Sequence, residues 1–248
     1  MDSKVCSSCQ SPLADGTTLC PACGAAVGEA APARPRVTAV AAKVPVRVKL
    51  YLGVDGTGST EPFAEGAART AEGILSPVEA KAAGVLCSVF RCGDQEWREP
   101  VVTLCENLSP RDAIAAVRSI KFEGGGDAEE THLLNFSDIL NVIPPAEPCE
   151  RNAFVAITTA SSKPLAGQSP TDLGQEFRAR DIIVCVVGQQ CALLKEFVQA
   201  AGGFYFELSN DPRADELARV AAKVAASITA SLSTAQKTRR IPNAAAMA

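Results

Sequence analysis

The chain has 248 residues, 47% hydrophobic and 21% charged, the balance of a folded globular protein and not of a disordered one. That length holds one good-sized domain plus something small. A net charge of -4 offers nucleic acid no basic field, 5% aromatic residues leave little for base stacking, and the longest purely apolar run, Ile182 to Val187, is far too short for a membrane span.

The chain opens Met1-Asp2-Ser3-Lys4 and reaches Cys6 without a basic-then-apolar stretch, so no export signal is expected and the expected location is the cytoplasm. There the ten cysteines read as reduced thiols or metal ligands, not as disulfides. Four are bunched as Cys6-x-x-Cys9 and Cys20-x-x-Cys23, with ten residues between the pairs. Two such knuckles place four thiolate sulfurs tetrahedrally around one Zn²⁺. Pro12, Asp15 and Gly16 suit the turn that joins them. A module over residues 1–25 buries too little apolar surface to fold alone, so the metal would supply most of its folding free energy. A redox role is disfavoured, because neither pair follows a strand or opens a helix. The segment resembles the zinc ribbons at the N-termini of many bacterial proteins, which carry C-x-x-C, a glycine, then C-P-x-C-G. That resemblance implies a structural or contact module. Lys4 is its one basic residue, which favours contact with protein over nucleic acid.

Residues 26–46 are rich in Ala, with Pro32, Pro35 and Pro45 and no helical or strand period, and read as a semi-extended linker. From Arg47 the texture changes. Strands are expected at Val46–Val54, Gly84–Arg91, Glu99–Leu104, Ala153–Thr158, Ile182–Val187 and Gly203–Leu208. Helices are expected at about Glu61–Ala83, Pro110–Ile120, Ala128–Val142, Thr171–Arg180, Ala192–Ala201 and Asp215–Ser231. Ile182–Val187 and Phe154–Ile157 are apolar without alternation, as in strands buried on both faces. This order predicts an α/β domain over 47–233, a mostly parallel sheet with helices on both faces, whose ligands bind beyond the carboxyl ends of the strands. Residues 234–248, with Lys237, Arg239 and Arg240, read as a solvated tail.

The first strand runs into Asp55-Gly56-Thr57-Gly58-Ser59-Thr60. Gly53 and Gly58 have the spacing of a phosphate loop, but no Lys precedes Ser59-Thr60, and Asp55 would put negative charge in the phosphate cradle. As a metal site the turn makes better sense. Asp55, Thr57 and Ser59 alternate at a strand end, and Gly56 and Gly58 let the loop curl. A set of oxygens without nitrogen or sulfur suits Mg²⁺, Ca²⁺ or Mn²⁺, although Asp-Gly-Thr-Gly also makes an ordinary turn.

At these residues the chain resembles the von Willebrand factor A domains. Their metal-ion-dependent adhesion site has D-x-[ST]-x-S after the first strand, matched by Asp55, Thr57 and Ser59. The second loop of the family is matched by Gly124-Gly125-Gly126-Asp127, with Glu129, Glu130 and Thr131 following. The third loop, usually I-T-D-G, reads Ile157-Thr158-Thr159-Ala160 here. The resemblance implies a Rossmann-like fold over about Arg47 to Ser233 with a metal at the carboxyl edge. Thr57 and Ser59 would be direct ligands, Asp55 a direct or water-bridged one, Asp127 the second carboxylate, and Thr159, where the family has aspartate, could only hold a water.

His132, the single histidine, has no nucleophile-elbow Ser or Cys beside it and reads as a helix-surface or satisfied buried residue, not a general base. Cys87, Cys105 and Cys185 read as buried strand thiols, Cys92, Cys149 and Cys191 as free loop thiols, and Trp97 as an edge-packing residue on a β-hairpin. The expected function is therefore a non-enzymatic adaptor that binds an acidic side chain of a partner protein through the metal-bearing face. By resemblance to intracellular bacterial members, the partner implied is an AAA+ ATPase of the MoxR type, or a kinase and phosphatase system of tellurite resistance or defence. The alternatives are a zinc-ribbon regulator touching nucleic acid or the transcription machinery, and a metal-using hydrolase, for which no base–nucleophile pair is found.

Overall fold

The computed structural model describes residues 5–6, 9–14, 16–23, 45–126 and 128–238, the stretch 233–238 by its backbone alone. Most of the linker, Asp127, Arg239 and Arg240 lie outside the described residues. The chain divides into two compact units, Met1–Ala42 and Lys43–Ala248.

In the small unit, Val5 and Pro12 form an antiparallel bridge. Within it the Cys6 amide donates to Ser11 (2.9 Å) and the Gln10 amide to Cys6 (2.8 Å). Gln10 and Gly16 take positive φ, 62° and 86°, which lets each turn close tightly.

The large unit is built on a six-stranded sheet ordered β3-β2-β1-β5-β7-β8. The strands are β1 Arg47–Asp55, β2 Gly84–Cys92, β3 Val102–Leu108, β5 Glu150–Ile157, β7 Ile183–Gly188 and β8 Phe204–Glu207. All neighbours are parallel except β2 and β3. Two-residue strands β4, Glu129–Glu130, and β6, Ser161–Ser162, form a separate parallel pair. The helices are α1 Ala64–Glu79, α2 Pro110–Arg118, α3 His132–Val142, α4 Pro170–Ala179, α5 Ala192–Ala201 and α6 Ala214–Thr238.

Period-2 alternation divides the core. Leu50, Leu52 and Val54 of β1 meet Ile74 and Leu75 of α1 and Val224 and Ile228 of α6 on one face. On the other, Tyr51 joins Phe136 of α3, Phe177 of α4 and Phe197 of α5. Phe136, Phe154, Phe177 and Phe197 interlock with ring centroids 5.1 to 5.5 Å apart, each contact contributing about 1 kcal/mol beyond burial. Close helix approach relies on small residues: a Cβ on Gly174 would lie 2.4 Å from the Phe197 carbonyl oxygen.

Some boundaries differ from the sequence expectation for local reasons. The third strand begins at Val102, because Gln95–Trp97 forms a 3-10 turn capped by Asp94 and Arg98 takes φ 64°. Trp97 thus sits on that turn and is 57% exposed. A 3-10 turn, Gly58–Phe63, which contains Pro62, precedes α1 and delays its start to Ala64. Helix α3 starts only at His132, because Glu129 and Glu130 are spent on β4. Helix α6 continues to Thr238, into the stretch read as tail. No helix among the described residues is long and apolar enough to cross a membrane.

Candidate metal centres

In the small unit the sulfurs of Cys6, Cys9, Cys20 and Cys23 all lie within 4.8 Å of one another. Cys6 and Cys23 are 3.8 Å apart and Cys9 and Cys20 are 3.6 Å apart. A tetrahedral ion with bonds of about 2.3 Å to sulfur has edges of about 3.8 Å, so the four sulfurs already have the spacing of a ligand shell. Cys6 and Cys20 are buried, while Cys9 and Cys23 face outward. Contacts with the Ser11 side chain and backbone bring the Cys9 thiol down to about 6, toward the thiolate that a metal requires.

In the large unit, parallel pairing puts the ends of β1 and β5 side by side, with Val54 opposite Ile157. Asp55 closes β1 and is 1% exposed. Its carboxylate accepts from the Thr57 amide (3.1 Å) and Thr57 hydroxyl (2.8 Å) on Oδ1, and from Thr60 (2.8 Å) and Thr158 (3.1 Å) on Oδ2. The Ser59 hydroxyl is 3.1 Å from that of Thr57 and is exposed. Thr159 Oγ1 lies 2.9 Å from Thr60 Oγ1, so it reaches Asp55 only through Thr60. The third-loop residue on Asp55 is thus Thr158.

The glycine loop closes the site. Gly124 and Gly125 take φ 84° and 75°, which few side chains tolerate. The Gly125 amide donates to the Glu99 carboxylate (3.1 and 3.2 Å), and the Gly58 amide to the Gly124 carbonyl (3.1 Å). The Arg91 guanidinium donates to the carbonyls of Gly56 (3.0 Å), Glu123 (2.7 Å) and Lys121 (3.1 Å), tying first and second loops to β2. Ser59, Gly124, Gly125, Gly126 and Glu130 line a cleft of about 300 Å³.

Sequence reasoning named Glu130 only as a residue following the glycine run, yet its side chain is 1% exposed and its Oε2 has no hydrogen-bond partner. Burial, together with Asp55 and Asp94, pushes its carboxyl up from 4.5 to about 7, against the pull of Thr57 and Lys163. The signal available in the sequence was the acidic pair Glu129-Glu130, separated from the glycine run by Asp127 and Ala128. His132 is buried, its Nε2 2.7 Å from Thr158 Oγ1, and burial lowers its pKa. Cys87 and Cys185 are buried, which raises their thiols to about 12 and keeps them unreactive. Cys92 and Cys191, expected in loops, are also buried, at the end of β2 and the start of α5, while Cys105 is half-buried.

The raised Glu130 carboxyl has a pH consequence. The native state holds a proton that the unfolded chain releases between about pH 4.5 and 7, so this residue favours folding at the acid end and loses that contribution as pH rises through about 7. Neutral, buried His132 acts in the opposite sense below its ordinary pKa, so the comparison is with Glu130→Gln. Without added divalent cation, the stability advantage of Glu130→Gln over wild type should open from near zero at pH 4.5 to about 3 kcal/mol above pH 7. Denaturant melts at four pH values measure it, and a gap that does not vary with pH would contradict the buried carboxyl.

The residues present fit a hard divalent cation: hydroxyl and carboxylate oxygens converge, and one buried carboxylate oxygen lacks a partner. The fold defines the class. The large unit has the fold of a von Willebrand factor A domain. It is similar to the VWA domain of SpRpn10 (TM-score 0.55, 11% identity), which covers 71% of this chain and 94% of that one. It is also similar to proximal thread matrix protein 1 from the mussel byssus (TM-score 0.54, 12% identity), covering 76% of this chain and 46% of that one, so the match spans less than half of that protein. No protein-family model matches the chain, and no curated protein matches it in sequence.

Proposed function

We propose that the protein is a non-enzymatic interaction module with two ions. Zn²⁺ in the small unit is held by Cys6, Cys9, Cys20 and Cys23 and maintains that unit's fold. A Mg²⁺ or Mn²⁺ ion at Asp55, Thr57 and Ser59 offers an open coordination position to an aspartate or glutamate of a partner protein. The observation that carries this reading is the convergence of Asp55, Thr57 and Ser59 oxygens beside a cleft whose rim includes the exposed Ser59. Such an ion supplies a desolvated anchor for one carboxylate, and the surrounding loops then select the partner's shape. An AAA+ ATPase that presents an acidic surface residue suits this role.

Ser59→Ala is the clean probe, because the hydroxyl is exposed and bonds only its loop neighbour Thr57. Zinc-loaded wild type should capture a partner from native lysate in Mg²⁺ buffer and lose most of it when Mg²⁺ is omitted. Ser59→Ala should capture at least tenfold less with an unchanged melting temperature. Equal capture by both proteins, with and without Mg²⁺, would place the contact elsewhere.

A further inference from the structure

The cation reading leaves open which acid accompanies Asp55. We infer that Glu130 supplies the second carboxylate of this site, in the role the family resemblance gives to Asp127. The inference rests on the cation reading itself. Four observations lead to it.

Glu130 lines the same cleft as Ser59 and the glycine loop, yet its side chain is 1% exposed. An acid held this way is not a solvated rim charge. Its Oε2 accepts from nothing, and a buried carboxylate oxygen without a partner is destabilising unless a proton or a cation meets it.

The loop makes room for this carboxylate beside the first-loop ligands. A Cβ on Gly125 would lie 3.1 Å from Glu130 Oε1 and 3.3 Å from Thr57 Cβ, so Gly125 is the common neighbour of both groups. A larger residue would crowd both groups, in addition to the strain of φ 75°.

The backbone behind Glu130 is fixed. Its pairing with Ser162 and the bond from the Lys163 amide to its carbonyl (2.8 Å) hold the residue between the second and third loops. A ligand on a paired strand keeps its position better than one on a free loop.

The Lys163 ammonium is shared. Its Nζ bonds the fully buried Asp94 (3.0 Å) and Glu96 (2.7 Å), so it pulls on Glu130 without forming an ion pair with it. With Glu130 deprotonated on binding, Asp55 and Glu130 together would offer two negative charges, matching one divalent ion.

The experiment titrates Mn²⁺ into zinc-loaded full-length protein by calorimetry, with the Mn²⁺-induced shift in melting temperature as a second readout. Wild type, Glu130→Gln, Glu130→Asp, Asp127→Asn and Ser59→Ala are compared. Glu130→Gln keeps the side chain's shape, and its melting temperature without Mn²⁺ should equal or exceed wild type, which checks its fold. Glu130→Asp keeps the charge and withdraws it by one methylene. Both Glu130 variants should bind Mn²⁺ at least tenfold more weakly, and Asp127→Asn should stay within twofold of wild type. Loss of binding in Asp127→Asn with retention in the Glu130 variants would overturn the assignment while leaving the cation reading intact, since Ser59→Ala would still bind weakly. Absence of Mn²⁺ binding in wild type itself would sink the cation reading and this assignment with it.

Discussion

Asp55→Ala should destabilise the large unit by about 3 kcal/mol, because it removes the acceptor of four buried donors at once. The Thr57, Thr60 and Thr158 hydroxyls can rotate toward other acceptors, which keeps the loss below the sum of four bonds. The Thr57 amide is fixed by the backbone and cannot rotate. In a domain of this size the change corresponds to a fall in melting temperature of roughly 6–12 °C. Asp55→Asn, which preserves the shape and one good acceptor, should lose less than half as much. A melting temperature within 2 °C of wild type for Asp55→Ala, about what 1 kcal/mol would produce, would show that the network relaxes without it. Asp55 therefore holds the first and third loops together as well as offering charge, and a binding defect in Asp55→Ala must be separated from a folding defect.

The second large effect belongs to the small unit. Cys20→Ser should remove bound zinc entirely and leave residues 5–23 open to protease, because a serine hydroxyl is a poor ligand and Cys20 is one of the two buried sulfurs. Metal ligation supplies on the order of 10–16 kcal/mol of apparent folding free energy in peptides of this kind, far more than so short a segment can bury. Elemental analysis should show about one zinc per chain in wild type and none in the variant. The thermal transition of the large unit should stay in place, since the two units are compact separately. A parallel loss of stability in the large unit would mean that the two depend on each other.

The elements with strong periodicity were legible in the sequence. Helix α5, Ala192–Ala201, has the expected bounds, and the buried strands β5 and β7 stand where continuous apolar runs placed them. The cysteine quartet was legible because ligand spacing is local. Asp55, Thr57 and Ser59 were legible for the same reason, whereas the rest of the candidate cation site was not, because it depends on pairing across long separations. Glu129–Glu130 looked like the start of a helix, since acidic residues suit a first helical turn, and only pairing with Ser161–Ser162 makes it a strand and turns Glu130 inward. The choice between Thr158 and Thr159 was likewise fixed by the register of β5 against β1, which delivers the Thr158 hydroxyl to Asp55 and leaves Thr159 to Thr60. Asp127 lies outside the described residues, and its role is a matter for the variant above. His132 was read as surface or satisfied core, and the structure makes it a buried partner of Thr158.

The Arg91 clamp has a kinetic meaning. Three carbonyls from two loops are fastened to β2 by one guanidinium, and Glu99 fastens the glycine loop from the other side. The cleft is thus shaped by folding, before any ligand arrives. A ligand that binds a cleft pre-shaped in this way would spend little of its affinity on ordering the bonded loop segments. Under the function proposed above, capture at such a face is expected to be limited by diffusion and by water exchange at the ion, and not by loop ordering.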